Sequence, residues 1–150
     1  MTKFGFAFRS LVAFALVQFA GILYYSEWFM GHTWLSLQKG HMTPQELQES
    51  TNFLPAMVAG MCGNVILISV WGATIYQARP TSRSAAIGLS LIAWLGLSAA
   101  PALSHYMYDQ KGLELWVVDF GSTAIQFVIV GLCFFRKRPP VAAPATSKSE

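Results

Sequence analysis

Residues 115–138 read LWVVDFGSTAIQFVIVGLCFFRKR, an apolar run closed by the basic triplet Arg136, Lys137 and Arg138. Extended back to Leu113, the stretch 113–135 supplies the roughly 20 residues with which a helix crosses about 30 Å of hydrocarbon. Inside it stands a carboxylate, Asp119. The segment thus sets the class of protein and poses its chemical question together.

Working outward, three more stretches share this character: 11–30, 53–76 and 85–104. They explain a composition that is 54% hydrophobic and 11% charged over 150 residues, where soluble domains carry about 25% charged residues. The expected fold is all-α, an integral membrane four-helix bundle occupying 1–138, with no room for a separate soluble domain. The tail 139–150, rich in Pro, Ala and Ser, is expected to be disordered. A cleavable leader is the competing reading of the N-terminus. Against it, Tyr24, Tyr25 and Trp28 put bulky rings where signal cleavage needs small residues.

Charge distribution orients the bundle. Lys3, Arg9, Arg79, Arg83, Arg136, Lys137, Arg138 and Lys148 fall in the N-terminus, the second connection and the tail, leaving Lys39 and Lys111 for the other two connections. Because Lys and Arg resist translocation, this predicts both termini inside, N-in/C-in, with two antiparallel helical hairpins. The net charge of +3 is therefore topological, and no nucleic-acid partner is expected. Cys62 and Cys133 are placed at different depths and read as apolar fillers, not a disulfide.

Of the connections, the first is long enough for structure of its own. Thr43, Pro44 and Glu46 form a capping pattern that predicts a short helix over 44–49. The third, SHYMYDQKG at 104–112, reads as a tight turn bounded by Pro101 and Gly112. Small residues at helical spacing predict the packing faces: Ala56, Gly60 and Asn64, with Ala59 and Gly63 beside them, then Ser84 and Gly88, and finally Gly96, Ala99 and Ala100.

Asp119 lies about 9 Å along its helix from the outer start. An ionised group at that depth costs a few kcal/mol unless it meets donors, faces protein or takes up a proton. Ser122 and Gln126 share its face. Tyr24 and Ser98 count inward to the same depth and are its expected partners, while Asn64, Gln126 and Gln18 approach one deeper level. These amides read as interhelical hydrogen-bonding glue or as the lining of a polar path. Asp119 itself reads as functional, since a carboxylate is expensive glue.

Glu27, His32, His105 and Asp109 could join Asp119 around an outer vestibule. Neither HxxxH nor ExxH spacing links them, so no metal and no cofactor are expected. No nucleophile elbow, phosphate loop or Cys–His pair is present, so catalysis is the weaker reading, resting only on the outer His and carboxylate cluster as a membrane enzyme acting on lipid or quinone. Trp34, Tyr106 and Trp116 fall among the rings of an interfacial aromatic belt.

The stretch YYSEWFMGHTW carries Tyr25 and Ser26, then Gly31 and Trp34, and in this order it resembles the first-helix signature of the bacterial family called domain of unknown function 1761. The resemblance runs from about Leu11 to Phe135 and implies a small four-helix protein of the bacterial inner membrane. Where relatives often have Asn, this chain has Asp119. The resemblance implies no established activity. The functional expectation is a protein that binds or moves a small solute or proton through the outer vestibule as a homo-oligomer, with a non-transporting accessory subunit of a membrane complex as the alternative.

Overall fold

A computed structural model describes residues 3–37, 53–108 and 111–136. Every regular element among them is helical: α1 (Lys3–Tyr24), α2 (Gly31–Leu37), α3 (Phe53–Ala78), α4 (Arg83–Trp94), α5 (Ala100–Tyr108) and α6 (Leu113–Phe134), with a π-helical turn, Leu95–Ala99, joining α4 to α5. Four stretches are long and apolar enough to span a membrane: Phe4–Tyr24, Met57–Ala78, Arg83–Tyr108 and Leu113–Phe134. The protein is therefore an all-α, multi-pass membrane protein. The expected helix at 44–49, the tail at 139–150, and His41 and Asp109 lie outside the described residues.

α6 is the hub, packing against α1, α2, α3, α4 and α5. Its buried positions, Leu115, Val118 and Ser122, then Phe127, Val130, Gly131 and Phe134, fall within each group at three- and four-residue spacings, which keeps one broad face turned inward. The main core joins Phe127, Val130 and Phe134 to Ala13 and Val17 of α1 and to Ile68, Trp71 and Ile75 of α3. It occupies the half of α6 away from Asp119. Gly112, with φ +84°, begins α6 in a conformation that side-chain-bearing residues resist.

Two helix boundaries differ from expectation. The first span begins at Lys3 and ends at Tyr24, several residues earlier at each end than 11–30. Arg9 does not delay it, because its Nη1 donates to the carbonyls of Cys133 at 2.6 Å and Phe135 at 3.3 Å, where the last turn of α6 leaves acceptors unmatched. The third span runs past Pro101 to Tyr108. Proline lacks an N–H and its ring crowds the carbonyl four residues back; the wider π turn just before it gives that carbonyl room. One carbonyl of the turn, Ala99 O, accepts from Trp116 Nε1 at 3.0 Å.

The small-residue faces also depart from expectation. Gly60, Gly63, Gly88 and Gly96 have open space where a Cβ would point, and Met57 through Gly63 are all exposed. The close approaches fall at other glycines. A Cβ on Gly72 would strike the Phe134 ring at 2.7 Å, one on Gly121 would strike the Tyr24 hydroxyl at 2.5 Å, and one on Gly131 would overlap Ser90 Oγ. Ser90 is fully buried; it donates to Ala86 O at 2.9 Å and accepts from Trp71 Nε1 at 3.1 Å, tying α3 to α4.

Candidate functional site: a carboxylate held by three neutral donors

The turn between α1 and α2 builds one wall of the site. Ser26 Oγ donates to Leu23 O at 2.7 Å, and the chain folds back so that Met30 N reaches Tyr24 O at 3.0 Å and Gly31 N reaches Ser26 O at 2.9 Å. Gly31 is required by this closure. A Cβ there would lie 2.6 Å from Tyr25 O and 2.7 Å from Ser26 O, and backbone atoms cannot yield as a flexible side chain can.

The folded turn brings Tyr25 and Trp34 together, their rings edge to face with centroids 5.6 Å apart. Both then address Asp119. Trp34 Nε1 donates to Oδ1 at 2.8 Å and the Tyr25 hydroxyl donates to the same oxygen at 3.3 Å. The Tyr106 hydroxyl donates to Oδ2 at 2.6 Å. Tyr106 arrives from α5, in reach because the third span continues past Pro101.

A second layer fixes these donors. Phe120 lies edge-on to Tyr106 at 5.6 Å and stacks on Trp116 at 5.7 Å. Trp94 Nε1 donates to Phe120 O and to Thr123 Oγ1, both at 3.0 Å. Lys111 Nζ sits over the Tyr106 ring, 5.3 Å from its centroid, within cation–π range. Burial first, and then the negative charge of Asp119, push the Tyr25 phenol up to about 12, so it remains a donor across the neutral range.

Among the described residues no cation forms an ion pair with Asp119; its three hydrogen bonds come from an indole and two phenols. Neutral donors stabilise a carboxylate. They leave its net charge in place.

The other expected site residues are dispersed. Tyr24 is buried next to the donors, but its hydroxyl packs on Gly121, so the neighbouring Tyr25 takes the place expected for it. Ser98, half-buried in the π turn, makes no hydrogen bond to Asp119. Ser122 is buried one turn along α6 from Asp119. Gln126 and Asn64 are half-buried on different helices. Gln18 Nε2 is buried without a partner among the described residues.

Glu27, His32 and His105 are exposed. No group of three or more His, Cys, Asp or Glu side chains among the described residues could hold a metal ion. Sequence reasoning missed Trp34 and Tyr106 as carboxylate donors, having assigned both rings to the lipid interface. Their spacing carries no signal for the role, which follows from the turn at Gly31 and the π turn before Pro101.

The residues that made the resemblance are thus the residues that build the site: Ser26 and Gly31 close the turn, and Tyr25 and Trp34 donate to Asp119. No curated protein and no solved structure matches the chain significantly. A family model does, over residues 9–135, and the chain accordingly belongs to the family described as protein of unknown function (DUF1761).

Proposed function

We propose that this is a bacterial inner-membrane protein with both termini cytoplasmic and its spans paired as two antiparallel hairpins, and that it binds a proton or small cationic solute at Asp119, reached from the outer side. The reading is non-enzymatic. The observation that carries it is a carboxylate one-third of the way along a membrane-length helix whose three partners are all neutral. Such a charge, half-buried at membrane depth, gains from a positive ligand what neutral donors cannot supply.

Asp119→Asn tests this directly. The amide keeps the shape of the side chain and removes the charge. Cation- or proton-linked activity in reconstituted vesicles should vanish while folded yield in detergent persists; equal loss of both would reduce Asp119 to a structural role.

A second reading, a non-transporting accessory subunit that docks another membrane protein, is supported by α3. Between Met57 and Gly63 this helix is exposed, and Ala59 and Gly63 stand at the four-residue spacing that lets backbones approach closely. Stoichiometric co-purification of a partner would favour it. A stable homo-oligomer purified alone would count against it.

A further inference from the structure

At the opposite end of α6 from Asp119, a groove of about 280 Å³ runs between α1 and α6, lined by Gly5, Phe8, Arg9, Val12 and Cys133. Arg9 gives it chemistry. Its Nη1 is engaged by the carbonyls of Cys133 and Phe135; among the described residues its Nη2 and Nε carry no hydrogen bond. A guanidinium presents five donors in a fixed fork suited to phosphate. Here one arm is anchored and the remaining donors are held beside an apolar channel.

The charge balance of this end points the same way. The described acidic residues, Glu27, Glu114 and Asp119, belong to the far end of α6 and the turn beside it. Arg136 follows one residue after Phe135, its Nη1 donating to the Tyr76 hydroxyl at 2.8 Å. The carbonyls engage one arm of Arg9 and interact well with it as the negative end of a helix dipole. They do not neutralise it. On the outer wall Phe8 and Val12 are exposed, 59% and 36%, continuing the channel away from the cation along α1.

We infer that this groove is a binding site for an anionic phospholipid, with the headgroup phosphate on the Arg9 guanidinium and an acyl chain along Phe8 and Val12. A cation within an apolar-walled groove at a helix end matches the two-part chemistry of such a lipid. A zwitterionic lipid brings its own ammonium and gains less, and free phosphate lacks the chain. The site does not depend on Asp119 or on what binds there.

The full chain, purified in a neutral detergent, is mixed with phosphatidylglycerol, with phosphatidylcholine of the same acyl chains, or with inorganic phosphate, and read by native mass spectrometry and thermal denaturation. Phosphatidylglycerol should be retained at one per chain and raise Tm, with phosphatidylcholine and phosphate doing neither. Arg9→Gln should weaken retention roughly tenfold, the loss of a charge-assisted hydrogen bond. Since that variant also releases the end of α6, Val12→Trp provides the second arm: it fills the groove, leaves Arg9 on its carbonyls, and should abolish retention with the lipid-free Tm kept. Arg83→Gln, which removes an exposed charge elsewhere, should retain lipid as the parent does. Equal retention of both lipids, selectivity that survives Arg9→Gln and Val12→Trp, an equal loss in Arg83→Gln, or a stabilisation reproduced by phosphate alone would each overturn the assignment.

Discussion

Near each end of α6 a charge sits more than a turn inside a membrane-length helix, Asp119 in α6 itself and Arg9 in α1, and each is met without an ion pair among the described residues. Arg9 is met by main-chain carbonyls at the end of α6; Asp119 is met by three side chains drawn from the α1–α2 turn, α2 and α5. The difference matters because any helix end leaves carbonyls unmatched, so an arginine can be accommodated there whatever the sequence. The donors of Asp119 exist only because particular residues stand at particular places. One end uses what the backbone already offers, and the other is assembled.

The comparison can be broken most forcefully at Gly31. Gly31→Ala forces a Cβ against two carbonyl oxygens and should open the turn that presents Tyr25 and Trp34, costing about 3 kcal/mol as an overpacked site; thermal denaturation in detergent would show it, and an unchanged Tm would mean the turn is not what assembles the site. Asp119→Asn comes next. It weakens three hydrogen bonds from charge-assisted to neutral, a loss of about 2 kcal/mol, and it should also expose Trp34 to quenchers of indole fluorescence.

At the other end, Arg9→Gln should cost about 1 kcal/mol, the scale of a cation at a helix C-terminus, because the carbonyls it leaves are only partly buried. If Arg9→Gln proves more damaging than Asp119→Asn, the contrast between the ends is reversed. The smallest effect concerns pH. The Tyr25 phenol is held protonated, up to about 12, so its raised folded-state value contributes stability fully below pH 10, its unfolded value, and loses it as pH rises towards 12. The tyrosinate absorbance that Tyr25→Phe removes should titrate late in the parent and earlier in Asp119→Asn, where the repelling charge is gone.

Sequence alone carried the four apolar spans, because the thickness of hydrocarbon sets a length that composition must meet. It also carried the inward-facing stripe of Asp119 and Ser122, since positions three apart share a helical face. The partners of Asp119 were not legible. Whether Tyr24 or Tyr25 reaches it depends on where α1 ends, and α1 ends at a turn held by Ser26 and Gly31 instead of at the edge of the apolar run. Tyr106 was hidden behind Pro101, which normally argues for a stop. The small residues of α3 misled for a different reason: their spacing shows that a close neighbour could fit, and is silent on whether the same chain provides one.

The π turn at Leu95–Ala99 has a consequence for everything that follows it in the third span. An extra residue in one turn advances the phase of the downstream helix by about 100°. Tyr106 faces Asp119 at this setting of the dial, so removal of a single residue between positions 95 and 99 would swing its hydroxyl around the axis and away, with none of the residues that contact the carboxylate changed. Segment length there, more than residue identity, tunes the aim of a phenol several residues downstream.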